Sequence, residues 1–191
     1  MKLSSVAAIA LLSATPVFAA APAFLVDFEK NWDYANGGVD GYYSGGTAAD
    51  GSTGSNLGVA FVGVSGLSND STFTYYSNAP TPLGVAYAFD SSAFINVAAG
   101  VANTLYFSYA SPAAVTGAIK AYAGANGSGA LLGSIDLAAN SGAGYEVWTA
   151  KAFSFSGTAL SFDLGASANG PSGASALTGF AKPDSFAKSI S

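Results

Sequence analysis

Phe24-Leu25-Val26-Asp27-Phe28-Glu29 alternates with period two. Phe24, Val26 and Phe28 fall on one face, and Leu25, Asp27 and Glu29 on the other. This is the pattern of a strand that seals an apolar core and turns two carboxylates the same way. The same period recurs downstream. Residues 57–65 are apolar on both faces, as a central strand is, and residues 71–76 set Phe73 and Tyr75 against Thr72, Thr74 and Tyr76. Residues 83–89 and 94–97 are extended neighbours able to pair through the turn at 90–93. Residues 104–109 carry the strongest alternation, with Leu105, Phe107 and Tyr109 opposite Thr104, Tyr106 and Ser108, and read as a mid-sheet strand.

Two hairpins complete the pattern. Residues 115–122 and 131–137 flank a Gly- and Asn-rich loop with the residues that positive φ requires. Residues 146–155 and 160–164 flank the turn Ser156-Gly157-Thr158. About ten short strands with Gly-rich turns, no amphipathic helix and no fixed-period repeat predict an all-β antiparallel sandwich of jelly-roll type. Its two ends are expected to pair as neighbouring strands.

The composition fits that class and narrows the chemistry. The chain has 191 residues, half of them hydrophobic, with 24 glycines, the size of one core rather than two. Six cations against eleven carboxylates, with no arginine, leave no basic cluster for phosphates, so nucleic acid is excluded as a main partner. The lack of arginine also removes bidentate anion recognition. The lack of histidine and cysteine removes the usual general base, thiol nucleophile and transition-metal ligands.

Residues 1–20 read as a cleavable helical signal peptide: Lys2 is a short positive start, Val6 to Leu12 an apolar run too short to span a bilayer, and cleavage is expected after Ala19 or Ala20. A secreted or cell-surface protein follows, with no membrane span in the mature chain. The β-sandwich domain is expected over residues 21–169, followed by a divergent or poorly ordered tail over 170–191.

Two residue groups suggest sites. The loop from Lys30 to Asn56 concentrates aromatic and oxygen-bearing side chains, and Trp32, Tyr34, Asp40, Tyr42 and Tyr43 are the candidate ligand-binding residues: rings stack on sugars while polar groups take hydroxyls. The same residues can instead lid one end of the sandwich. Asp27, Glu29 and Asp163 are the candidate metal ligands. If the strand bearing Asp163 lies beside the first strand, three carboxylates need a cation, and calcium, as a structural ion, takes oxygen ligands alone. No other cofactor is expected. A glycoside hydrolase or lyase would use paired carboxylates such as Glu29 and Glu146, the only two glutamates, and no arginine, histidine or acid cluster supports either. The chain is therefore expected not to be an enzyme.

The order of several short stretches resembles the PEP-CTERM secreted proteins of Gram-negative bacteria. They are Asp27-Phe28-Glu29, the Gly41 to Thr47 run Gly-Tyr-Tyr-Ser-Gly-Gly-Thr, Asn56-Leu57-Gly58-Val59, Phe94-Ile95-Asn96-Val97-Ala98-Ala99-Gly100, Tyr145 to Trp148 and Phe155-Ser156-Gly157-Thr158-Ala159. The resemblance covers residues 1 to about 169. It implies an exported, non-enzymatic β-sandwich protein associated with the cell surface and extracellular polysaccharide. A calcium-stabilised carbohydrate-binding module is the alternative, and a glycoside hydrolase or lyase a more distant one. The family's C-terminal Pro-Glu-Pro, apolar helix and basic end do not appear after Gly170.

Overall fold

A computed structural model describes residues 24–168 and 175–182. The expected signal peptide lies outside the described residues, as do residues 169–174 and 183–191 of the expected tail. The described chain is all-β and antiparallel: β1 (Leu25–Val26), β2 (Val59–Val62), β3 (Val64–Leu67), β4 (Val85–Ala88), β5 (Phe94–Ala110), β6 (Val115–Tyr122), β7 (Leu131–Leu137), β8 (Thr149–Asp163) and β9 (Ala176–Ala181). They form one sheet in the order β3-β4-β9-β5-β8-β6-β7, with β1 beside β9 and β2 beside β5. A single helical turn, α1 (Gly165–Ala168), follows β8.

The two long strands bend the sheet back on itself. Phe155 and Phe162 both belong to β8, and a straight strand would hold them roughly 23 Å apart at about 3.3 Å per residue. Their ring centroids lie 5.6 Å apart. The turn comes at Gly157, whose φ of 94° is open only to a residue without a Cβ. Opposite it, β5 carries register shifts between Asn96 and Val101 and between Ala102 and Thr104, with Gly100 at φ 68°. Bulges of this kind let a strand turn a corner without losing its partner. One limb therefore joins β2, β7, β6 and the near halves of β5 and β8. The other joins β3, β4, β9, β1 and the far halves.

Apolar residues from both limbs fill the space between them. Phe28 meets Tyr43, Phe61 and Phe180 edge-on at 5.8, 5.6 and 6.0 Å, and Phe107 stacks on Phe180 at 5.9 Å. Burying each such ring contributes about 1.5–3 kcal/mol, and the core needs no disulfide, since the chain has no cysteine.

Several sequence expectations are corrected by long-range pairing. The opening stretch keeps its two faces, with Phe24, Val26 and Phe28 buried and Leu25 and Glu29 exposed, but only Leu25–Val26 pairs as a strand. Phe28 stands at φ 58°, a strained conformation for a bulky residue, which breaks the strand there. Residues 94–97 and 104–109 are one continuous strand, and so are the two arms of the hairpin expected around Gly157: β5 and β8 pair with each other along both halves. β4 pairs with β3 and β9 rather than with residues 94–97. Residues 71–76 form no strand, because Asn69 and Asp70 side chains take the backbone N–H groups a ladder would use. The hairpin of β6 and β7 is as expected.

Residues 175–182 differ most from the sequence reading, which placed them in the tail. Ala176–Ala181 is an interior strand: Ala181 and Phe180 pair with Leu25 and Val26, Leu177 and Ala176 pair with Ala86 and Tyr87, and the opposite edge pairs with β5. The two ends of the described chain thus pair as neighbouring strands in an open sheet.

Candidate functional site

The far limb has two apolar faces. The inner face of β4 and β9 presents Ala86, Ala88, Leu177 and Phe180 to the main core. Alternation turns Leu67, Val85, Tyr87 and Ala176 outward as cross-strand neighbours, Leu67 opposite Val85 and Tyr87 opposite Ala176. Two loops cover this outer face, residues 68–84 and residues 138–148. Tyr76, Val85 and Ala176 make a second buried cluster there, against Leu67, Tyr75, Ala79, Tyr145 and Trp148.

The loops do not fill the space they cover. A cavity of about 220 Å³ remains, walled by Tyr34, Tyr75, Tyr76, Tyr87 and Tyr145 over a floor of Leu67, Val85 and Ala176. Tyr34 and Tyr75 lie parallel, 2° between planes and 5.5 Å between centroids, and Tyr34 is 64 % exposed. Phe73, 59 % exposed, extends the aromatic surface at 5.8 Å from Tyr75.

Each wall is fixed by the local sequence. Asn69 accepts the N–H groups of Tyr75 and Tyr76 at 2.7 and 3.2 Å and donates to the Tyr76 carbonyl at 2.9 Å. Asp70 accepts those of Thr72 and Phe73 at 2.7 and 2.8 Å. Tyr76 donates its hydroxyl to the Pro82 carbonyl at 3.2 Å. On the other side, Tyr145 is held at φ 46°, a left-handed conformation costing about 1–2 kcal/mol in an L-residue. The Tyr145 carbonyl accepts the Trp148 indole N–H at 3.0 Å, and the Asn78 amide donates to the Glu146 carbonyl at 3.2 Å, tying the two loops together. Strain of this sort, maintained by surrounding bonds, concentrates where a side chain must be held in place.

Burial raises the pKa of Tyr76, Tyr87 and Tyr145, and that of Tyr75 is raised as well, with the charge of Asp70 adding to desolvation. Tyr75, Tyr76, Tyr87 and Tyr145 are therefore neutral phenols, and the Tyr76 proton is already given to Pro82, which leaves its oxygen to accept. An apolar floor walled by tyrosine side chains suits a ligand with a C–H face and a polar edge.

No family model, curated protein or solved structure matches the chain. The geometry of the site carries the functional argument.

The structure divides the five expected ligand-binding residues. Tyr34 stands at the cavity. Trp32 and Tyr43 are 4 % and 5 % exposed, so the expectation that their faces are open to a ligand is corrected. Trp32 packs onto Gly66 and Gly84, donates its indole N–H to the Phe28 carbonyl at 3.0 Å and donates its backbone N–H to the Ser68 hydroxyl oxygen at 2.7 Å. Tyr42, half-buried, leans edge-on against Trp32 at 5.3 Å and Tyr43 at 4.8 Å. Asp40 is exposed, and its carbonyl accepts the Phe61 N–H at 2.8 Å. Trp32, Tyr42 and Tyr43 lid the core, while Asp40 stays at the surface.

Asp27 and Glu29 do face one shallow groove together, with Leu25, Tyr42, Tyr43, Ser55 and Leu57. The Tyr43 hydroxyl is held protonated, its pKa raised by burial and then by the Asp27 charge. Asp163 does not join them: it lies between Phe94 and Lys120 in the near limb and accepts the Gly165 N–H at 2.8 Å. The first strand neighbours β9 instead of β8, which separates the three expected metal ligands. Among the described residues no three such side chains gather. Glu146 caps its own loop, accepting the Gly142 N–H at 3.1 Å.

Tyr75, Tyr76, Tyr87 and Tyr145 escaped the sequence reading because they come together only when β4 pairs with β9. The readable signal was Asn69-Asp70 before Phe73, Tyr75 and Tyr76: two Asx residues announce a folded loop rather than a strand.

Proposed function

We propose that the chain is an exported, non-enzymatic protein of the cell surface or extracellular matrix that binds polysaccharide, and that the tyrosine cavity is its sugar site. The observation that carries this reading is the five-tyrosine wall with the exposed Tyr34 ring stacked on Tyr75. Aromatic faces take the C–H face of a pyranose, and phenol hydroxyls take its equatorial oxygens. The signal-like start and the resemblance to PEP-CTERM proteins support the location. The bent sheet with paired ends is in keeping with a sandwich of jelly-roll type, the architecture proposed for the domain. The absence of arginine, histidine and cysteine from the chain supports a binding role over a catalytic one.

The test is retention by the producing organism's own exopolysaccharide, with the wild type against Tyr34→Ala and Tyr75→Ala. Retention of the wild type and its loss in both variants is expected. An unretained wild type, or variants retained as well as the wild type, overturns the reading.

A further inference from the structure

We propose, resting on the sugar-site reading above, that the tyrosine cavity receives a single uncharged pyranose, a chain end or side branch, and discriminates against uronic acids and other anionic sugars.

Size limits the occupant to one ring. Pockets that enclose drug-sized ligands run to roughly 300–1,000 Å³, and this one holds about 220 Å³. It is closed below by the sheet at Leu67, Val85 and Ala176 and flanked by the two stapled loops. A long glycan has nowhere to thread. It can lie only outward, across the exposed rings of Tyr34 and Phe73.

Charge sets the preference. Among the described residues no cationic side chain lines the cavity. The chain has no arginine, and Lys30 is committed to Asp50 and to the Trp32 ring. The charges that reach the walls are carboxylates: Asp70 acts on Tyr75 and Glu29 on Tyr76. A uronate would leave water for an apolar floor with no ion to pair with and negative charge nearby, which opposes entry. A neutral hexose brings only hydroxyls, which need no counter-ion and exchange hydrogen bonds with phenol groups.

The test is saturation-transfer NMR on the full chain, using the methyl glycosides of glucose, galactose and mannose, their uronic acid counterparts, and neutral tetrasaccharides of the same sugars. At least one neutral glycoside is expected to bind at least tenfold more tightly than its uronate, with the tetrasaccharide gaining less than tenfold over the monosaccharide and Tyr34→Ala abolishing the signal. Equal or tighter uronate binding overturns the charge preference, and a large gain with chain length overturns the single-residue site; either leaves the sugar reading standing. If neither these sugars nor the native exopolysaccharide binds, the sugar reading itself falls. A folded Leu67→Lys variant gives an independent check: a cation on the floor is expected to bring uronates in, and an unchanged preference counts against the electrostatic argument.

Discussion

The Lys30 ammonium stands 4.3 Å above the centre of the Trp32 ring while pairing with the Asp50 carboxylate. The pair pins the loop that carries Asp50 over the ring that lids the core. Its hydrogen bond to Lys30, with help from Ser52, lowers the Asp50 pKa from 3.8 to about 2. A depressed carboxylate pKa adds stability above the unfolded value and loses it as pH falls through the folded one. The wild type is therefore expected to melt above Asp50→Asn at about pH 5, by no more than ~1 kcal/mol for so open a pair. The gap should close between about pH 4 and pH 2. Paired thermal melts across that range check it, and a gap independent of pH would show that the ion pair contributes nothing.

Trp32 owes its burial to the absence of a side chain on Gly66. A Cβ there would come within 2.2 Å of the indole, a clash that a rigid bicyclic ring held by its N–H bond to Phe28 cannot relieve cheaply. Gly66→Ala is expected to cost about 1–3 kcal/mol, the range for overpacking. Combined with Trp32→Ala, which removes the ring atoms it would meet, it should cost clearly less than the sum of the single changes. Denaturant melts of the four proteins give the coupling directly, and strict additivity would refute the contact.

Calcium is the structural ion that Asp27 and Glu29 could take, but Asp163 is held in the other limb by Lys120's strand and by Gly165. Two surface carboxylates make a poor site for an ion that takes six to eight oxygens. Millimolar chelator is expected to leave the melting temperature unchanged. A fall of several degrees on chelation, restored by added calcium, would establish a structural ion.

Local patterns in the sequence were legible where neighbours in space are also neighbours along the chain. Phe24, Val26 and Phe28 are buried as their alternation predicts, and the hairpin of β6 and β7 follows from its Gly- and Asn-rich loop. The bend at Gly157 was not legible as such, since a glycine between two extended runs marks a hairpin and a folded strand equally well. Only the pairing of both halves with β5 separates the two. The tyrosine cavity was hidden for a related reason. Its floor exists because β4 lies beside β9, with Tyr87 opposite Ala176, a pairing across nearly half of the chain that no local pattern announces. Of its five tyrosines only Tyr34 comes from the polar loop at residues 30–56; Tyr75, Tyr76 and Tyr145 come from two other loops and Tyr87 from β4.

Ala176-Leu177-Thr178-Gly179-Phe180-Ala181 is short, follows a polar stretch, and reads as a tail fragment, yet the sheet is built around it. Leu177, Thr178, Phe180 and Ala181 are at most 1 % exposed. The Thr178 hydroxyl bonds that of Thr81 and donates to the Asp27 carbonyl at 3.2 Å. Without β9, the first strand loses its partner, β4 and β5 lose one edge each, and Phe28 and Phe107 lose the ring of Phe180 between them. Unpaired backbone in a core costs more than the few kcal/mol a domain has to spare. A chain shortened to end at residue 169 is therefore expected to lose cooperative melting and near-ultraviolet dichroism. Phe180→Ala in the full chain should fold but lose about 3–5 kcal/mol. A shortened chain that melted cooperatively at the full-length temperature would show that the sheet closes without this strand.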